Sequence, residues 1–329
     1  MRRRQAVVGL LGALAAGLMA GCGSGAQQMP ADPTGELGAF PVTLTHGQGT
    51  VTIPAAPQRV VVLGLADTQI ATALGATIVG ATINPSSPDG AWPGVSPQVR
   101  PELRTLDSIT PNLEAIAGLR PDLILMTTAQ PSFSAAYAEI SAIAPTVSYR
   151  TELLQDPGEE LVRIIGHALG RDDEAQQLID RSSATLAEFR TRHPELDGAR
   201  YAFGQYVQGG TYLVVSPGSP VTALFGDIGL ELPAPIAGLP VQQAATTQVA
   251  AENLGVLDSA DIVFLGVGAD SDRTAFLSQP LVAASAPARA GRLHFLTFDQ
   301  AGLLFQPNPA NTEAVLGLLE PLMSGVGTR

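Results

Sequence analysis

Four histidines, one cysteine, 30 carboxylates and 18 arginines carry most of the chemistry open to this chain of 329 residues, and lysine is absent. The missing amine removes the phosphate-loop lysine, the Schiff-base lysine and the Ser-x-x-Lys nucleophile together, because a guanidinium cannot replace an amine in those roles. His46, His167, His193 and His294 never fall at the spacing that sets two imidazoles on one helix face for zinc. Ser219 lacks the flanking glycines of a nucleophile elbow, and Gly266-Val267-Gly268 lacks the third glycine of a dinucleotide loop. His167, on a helical pattern, and His294, in a strand-like run, read as structural histidines. Asp67 and Asp299 are left as carboxylates that an α/β enzyme could use.

Binding chemistry is better supplied. Arg150 and Arg273 could each fork onto the oxygens of an anionic ligand, since guanidinium pairs with carboxylate or hydroxamate. Trp92, the single tryptophan, lies in a Pro/Gly/Ser-rich loop, where it is either a pocket wall or a lid over its own core. The net charge of −12 opposes nucleic acid as a partner, because phosphate binding needs a basic face.

These residues need elements to hold them. Residues 1–21 join Arg2-Arg3-Arg4 to a short apolar run and small residues, the pattern of a secretory signal. Leu18-Met19-Ala20-Gly21-Cys22 resembles a bacterial lipobox, with Met19 where leucine is usual. On that resemblance Cys22 would carry lipid and anchor the exported protein to the outer face of a membrane. Residues 22–40 read as a flexible tether. No cysteine then remains for a disulfide.

Beyond the tether, short apolar runs alternate with helical patterns, which predicts α/β lobes with mainly parallel sheets. Val42–Leu44 and Val51–Ile53 read as a hairpin, and Arg59-Val60-Val61-Val62-Leu63 as a strand buried on both faces. The expected organisation is an N-terminal lobe over 41–155, a bridging helix over 156–171 and a C-terminal lobe over 172–329. Glu114 to Asp122 and Glu252 to Asp261 echo each other: a glutamate opens a short helix, then an aspartate opens a buried strand.

The ordered set of Arg59–Leu63, Leu74–Gly80, Asn112-Leu113-Glu114 with Pro121-Asp122-Leu123-Ile124, and Ile164–Arg171 resembles the iron-siderophore and cobalamin solute-binding proteins of ABC importers. It spans roughly residues 40–325, the binding domain itself about 58–325. The resemblance implies two Rossmann-like lobes bridged by one long helix, a ligand held between them, no catalysis and no resident cofactor. It implies that Glu114 and Glu252 dock on arginines of a permease. A monomer is expected.

Ligands of open α/β sheets meet the loops at the strands' carboxyl ends. That rule selects Asp67, Trp92, Tyr149 and Arg150 in the first lobe, and Tyr206, Tyr212, Arg273, Phe298 and Phe305 in the second. Tyr206 could ligate iron or haem, or make an aromatic contact. The expected ligand is a ferric siderophore. Haem follows, with apolar walls from the Phe298 and Phe305 loops and Tyr206, Tyr212 or a histidine as axial ligand; then cobalamin. The rival from another class is an exported enzyme using Asp67 or Asp299.

Overall fold

The computed structural model describes residues 40–242 and 244–326. Cys22, the signal pattern and nearly all of the tether lie outside the described residues. The first element is the expected hairpin, β1 (Val42–His46) with β2 (Gly49–Ile53). Threonine hydroxyls pair across its exposed face, Thr43 with Thr52 at 3.1 Å, while Val42 and Ile53 turn inward.

Both lobes follow from apolar strands that must be covered on two sides. The first sheet holds β3 (Val60–Val62), β4 (Ile78–Thr82), β5 (Arg104–Leu106), β6 (Leu123–Met126) and β7 (Thr146–Ser148), all parallel in the order β5-β4-β3-β6-β7. Helices α1 (Leu65–Ala73), α2 (Leu113–Gly118), α3 (Pro131–Ala135) and α4 (Tyr137–Ser141) return the chain between strands. Two helices follow, α5 (Gly158–Leu169) and α6 (Asp172–Arg192).

The second sheet holds β8 (Tyr201–Val207), β9 (Gly210–Val214), β10 (Thr246–Val249), β11 (Ile262–Val267) and β12 (Leu293–Leu296), in the order β10-β9-β8-β11-β12. It is mixed, because β9 runs antiparallel to both neighbours while β8, β11 and β12 are parallel. Its helices are α7 (Pro220–Asp227), α8 (Ala234–Ala237), α9 (Asp270–Leu277), α10 (Pro280–Ala283), α11 (Ala286–Arg289), α12 (Phe298–Phe305) and α13 (Thr312–Leu319).

The bridge is α6, one helix later than the sequence suggests. Leu161, Val162, Ile164, Ile165, Ala168 and Leu169 of α5 all pack into the first lobe's core, and the helix stops at Gly170 in a left-handed cap, φ 67°. In α6, Ala175, Leu178 and Ile179 join that same core, whereas Phe189, with Leu186 beside it, joins the core of the second lobe. A helix of 21 residues reaches about 30 Å, enough to span both cores. The far end is pinned where His193 sits between Glu195 and Glu320, each at 3.0 Å.

A second connection is polar. The chain returns after α12 to place Ala310 on the first core, and Asn308 and Asn311 donate to Gln69 Oε1 of α1 at 2.7 and 3.1 Å. Asn84 of the first lobe donates to Asp299 of α12 at 2.9 Å.

The echo between the halves has a structural counterpart. Asp122 accepts from the backbone N–H of Arg59, 2.8 Å, at the head of β3; Asp261 accepts from the backbone N–H of Arg200, 2.9 Å, at the head of β8. In each lobe an aspartate opening one central strand thus clamps an arginine opening its parallel neighbour.

Candidate functional site

A cavity of about 440 Å³ lies between the lobes. Gln130, the N-cap of α3, and Leu154 and Gln155, which precede α5, come from the first lobe's side. The second lobe supplies the rest. Gln205 and Val207 on β8 face the cavity, as do Tyr212 and Val214 on β9, while the intervening Tyr206 and Leu213 point into a core. That is the period-two alternation of a strand. Gln208-Gly209 turns β8 into β9 with both residues at positive φ, 52° and 81°, the geometry of a two-residue hairpin that matches strand twist. The first turn of α7 contributes Pro220 and Val221 behind its cap Ser219, which accepts from the Thr222 N–H at 3.3 Å. Phe305 and Gln306 close the side at the end of α12.

Backbone strain gathers here. Among the described residues five non-glycines have positive φ, and Leu154 (63°), Gln208 (52°), Ala244 (41°) and Ala245 (66°) all line the cavity. Left-handed backbone costs a non-glycine residue of order 1–3 kcal/mol, and such residues cluster where a site needs its shape held.

Of the nine candidate contact residues, Tyr212 and Phe305 line this cavity. Phe305 also packs at a tilt on Phe203, 4.6 Å between centroids. The other seven are engaged elsewhere. Asp67 is wholly buried and accepts from the Thr127 N–H (2.9 Å) and hydroxyl (2.6 Å) and from the Thr128 N–H (3.1 Å) and hydroxyl (3.2 Å). Burial pushes its carboxyl pKa up while these donors pull it back. It therefore ties α1 to the loop after β6 at the topological switch point and does not line the cavity.

Trp92 is the lid of its own core: it packs on the first lobe and donates Nε1–H to the Thr82 carbonyl at 2.8 Å. Tyr149 packs under the hairpin turn, where its carbonyl accepts from Gly47 N–H at 2.7 Å; a Cβ at Gly47 would enter its ring. The Arg150 guanidinium is paired with Glu160 of α5. Tyr206 is a core residue against Phe276, 5.4 Å between centroids. Arg273 lies over the Phe295 ring at 5.1 Å. Phe298 packs beside Gly268, where a Cβ would come within 2.9 Å of its ring. Asp299, the other candidate carboxylate, holds the latch to Asn84.

The residues that composition did not single out are five glutamines, at positions 130, 155, 205, 208 and 306. They stand beside strand ends and turns, so their clustering near carboxyl edges was the available signal.

Glu114 and Glu252 are both exposed. Glu114 is in the first turn of α2, whose N-cap Asn112 accepts from the Ala115 N–H at 3.0 Å. Glu252 opens a 3-10 helix over Ala251–Ser259, directly after β10. β10 is antiparallel to β9, hence codirectional with β8, so Glu252 stands at the sheet edge where Gln205 and Val207 meet the cavity.

A family model described as periplasmic binding protein matches residues 60–299. The Fe(3+) dicitrate-binding periplasmic protein FecB of Escherichia coli K12 is 27% identical over 221 residues, covering 65% of this chain and 70% of that one. The ferric enterobactin-binding periplasmic protein FepB of Escherichia coli O6:H1 is 26% identical over 260 residues, 74% and 80% of the two chains. A crystal structure of a periplasmic solute binding protein from Mycobacterium smegmatis superposes with a TM-score of 0.71 at 31% identity, over 87% of this chain and 98% of that one.

Proposed function

Because the chain belongs to the periplasmic binding protein family, we propose that it captures a ferric siderophore in the interlobe cavity and delivers it to the permease of an ABC importer. It is a substrate-binding protein and not an enzyme. The observation that carries the ligand reading is the character of the cavity wall. Among its described lining residues there is no carboxylate, imidazole or thiol, and the single phenol of Tyr212 is too few ligands to hold a bare ferric ion. Iron taken here must therefore arrive with its coordination sphere largely filled by a chelator. Amides, hydroxyls and apolar walls suit the outside of such a chelate.

Haem is less well served. Among the described residues Tyr212 is the one phenol on the wall, Tyr206 facing a core, and no histidine lines it. Titration calorimetry of the purified protein against ferrichrome, ferric enterobactin, ferric dicitrate, haem and cobalamin tests the reading. A ferric chelate should bind at micromolar Kd or tighter, with Tyr212→Ala weakening it by about tenfold, as truncation of a buried aromatic contact does. Binding of haem or cobalamin alone would overturn it.

Two further elements belong to the proposal. Cys22 carries the lipid that holds the protein at the outer face of the cytoplasmic membrane; Cys22→Ser should move it to the soluble fraction or leave the signal uncleaved, and unchanged retention of a cleaved chain would refute the anchor. Glu114 and Glu252 are the prongs that meet the permease, one from each lobe, and the working unit is the monomer.

A further inference from the structure

Resting on that reading, we infer that the ligand is an iron chelate with no net charge, of the tris-hydroxamate kind, recognised by glutamine amides where arginines would hold an anionic one. Among the described residues, the cavity wall carries no charged side chain. Its polar surface consists of Gln130, Gln155, Gln205, Gln208 and Gln306 with a few hydroxyls. Each amide presents two donors and one acceptor at no net charge, a set matched to the carbonyl and N–O oxygens around a ferric hydroxamate. Three singly charged hydroxamates cancel the ferric charge. Three doubly charged catecholates leave three negative charges on the complex, and citrate complexes are likewise anionic.

Such anions would need cations that are not among the described lining residues. Arg150 pairs with Glu160 and Arg273 lies on Phe295, and neither of these two guanidiniums, the best placed by sequence, lines the cavity. The start of α7 offers only about half a positive charge, and the chain as a whole carries −12, which repels an approaching trianion. Moving such an ion from water to this wall leaves its charge unpaired, the costly case for burial.

The test compares ferrichrome, ferric enterobactin and ferric dicitrate on the full chain, at low and high salt. Ferrichrome should bind at least about a hundredfold more tightly than either anion, since leaving buried charge unpaired discriminates on that scale. Its Kd should also change less than about twofold with salt, because a neutral ligand has no charge to screen. Gln205→Arg should raise affinity for ferric enterobactin by about tenfold without helping ferrichrome, and Gln155→Arg serves the same end if the first variant does not fold. Equal or tighter binding of an anionic chelate by the natural chain would overturn this inference and leave the functional reading standing. Failure of every ferric chelate would overturn both.

Discussion

Reversing both Glu114 and Glu252 to arginine should nearly abolish uptake of the bound chelate while changing its Kd by less than about twofold. The two carboxylates are exposed and lie on different lobes, and neither lines the cavity. Charges on a rim act mainly on encounter and orientation, and placing like charges face to face costs several kcal/mol. A single reversal should therefore reduce uptake by tenfold or more, and the pair should act through the same encounter. The cost to the fold is small. A cation in the first turn of α2 forfeits about 0.3–1 kcal/mol of helix-dipole interaction, and Asn112 still caps the helix. Uptake of labelled iron by cells, set beside calorimetry on the purified variants, separates the outcomes. Normal transport by the double variant would make these ordinary helix-start carboxylates; affinity falling in step with uptake would put them at the ligand.

Asp67→Ala should cost about 3–5 kcal/mol of stability, the scale for removing one side of a buried, charge-assisted network. Truncation removes the acceptor for two backbone N–H groups and two hydroxyls. The threonine hydroxyls can rotate to new partners, but the N–H groups of Thr127 and Thr128 are fixed and buried. Melting should fall by roughly 10 °C or more, given about 2–4 °C per kcal/mol for domains of this size. Scanning calorimetry with and without ferric chelate decides the role. A near-normal melting point with lost binding would return Asp67 to the ligand.

Asp67 also shows where reading from residues alone stops. Its position after β3 at the switch point is where an α/β sheet meets a ligand, and composition cannot reveal that Thr127 and Thr128 fill the crevice from the other strand end. Arg150 fails for a similar reason, its partner Glu160 being on the next helix. Strand parity separates Tyr206, packed in a core, from Tyr212, which lines the cavity. Both lie in the stretch the rule selects, but only the pairing of β8 with β9 decides which face is wet. What local pattern does carry is the architecture. Apolar runs such as Val60–Val62 and Leu123–Met126 became the buried parallel strands, and Glu114–Asp122 with Glu252–Asp261 became equivalent connections. β5 escaped because three residues opening on Arg104 contain no apolar run. The bridge was misplaced because α5 is the more amphipathic helix, whereas α6 changes its apolar partner midway and shows a weaker stripe.

The clasp of Gln69 on Asn308 and Asn311, and of Asn84 on Asp299, bears on how a transport partner would tell a loaded protein from an empty one. Lobes joined by one unbroken helix and stitched across by amide hydrogen bonds have few joints about which to swing. Their rims should then keep nearly the same outline in both states, an expectation that small-angle scattering with and without a ferric chelate checks. The distinguishing mark is then the cargo itself, seen at the mouth of the cleft as part of the contact surface. A carrier built this way signals by what it displays and hardly at all by how it bends.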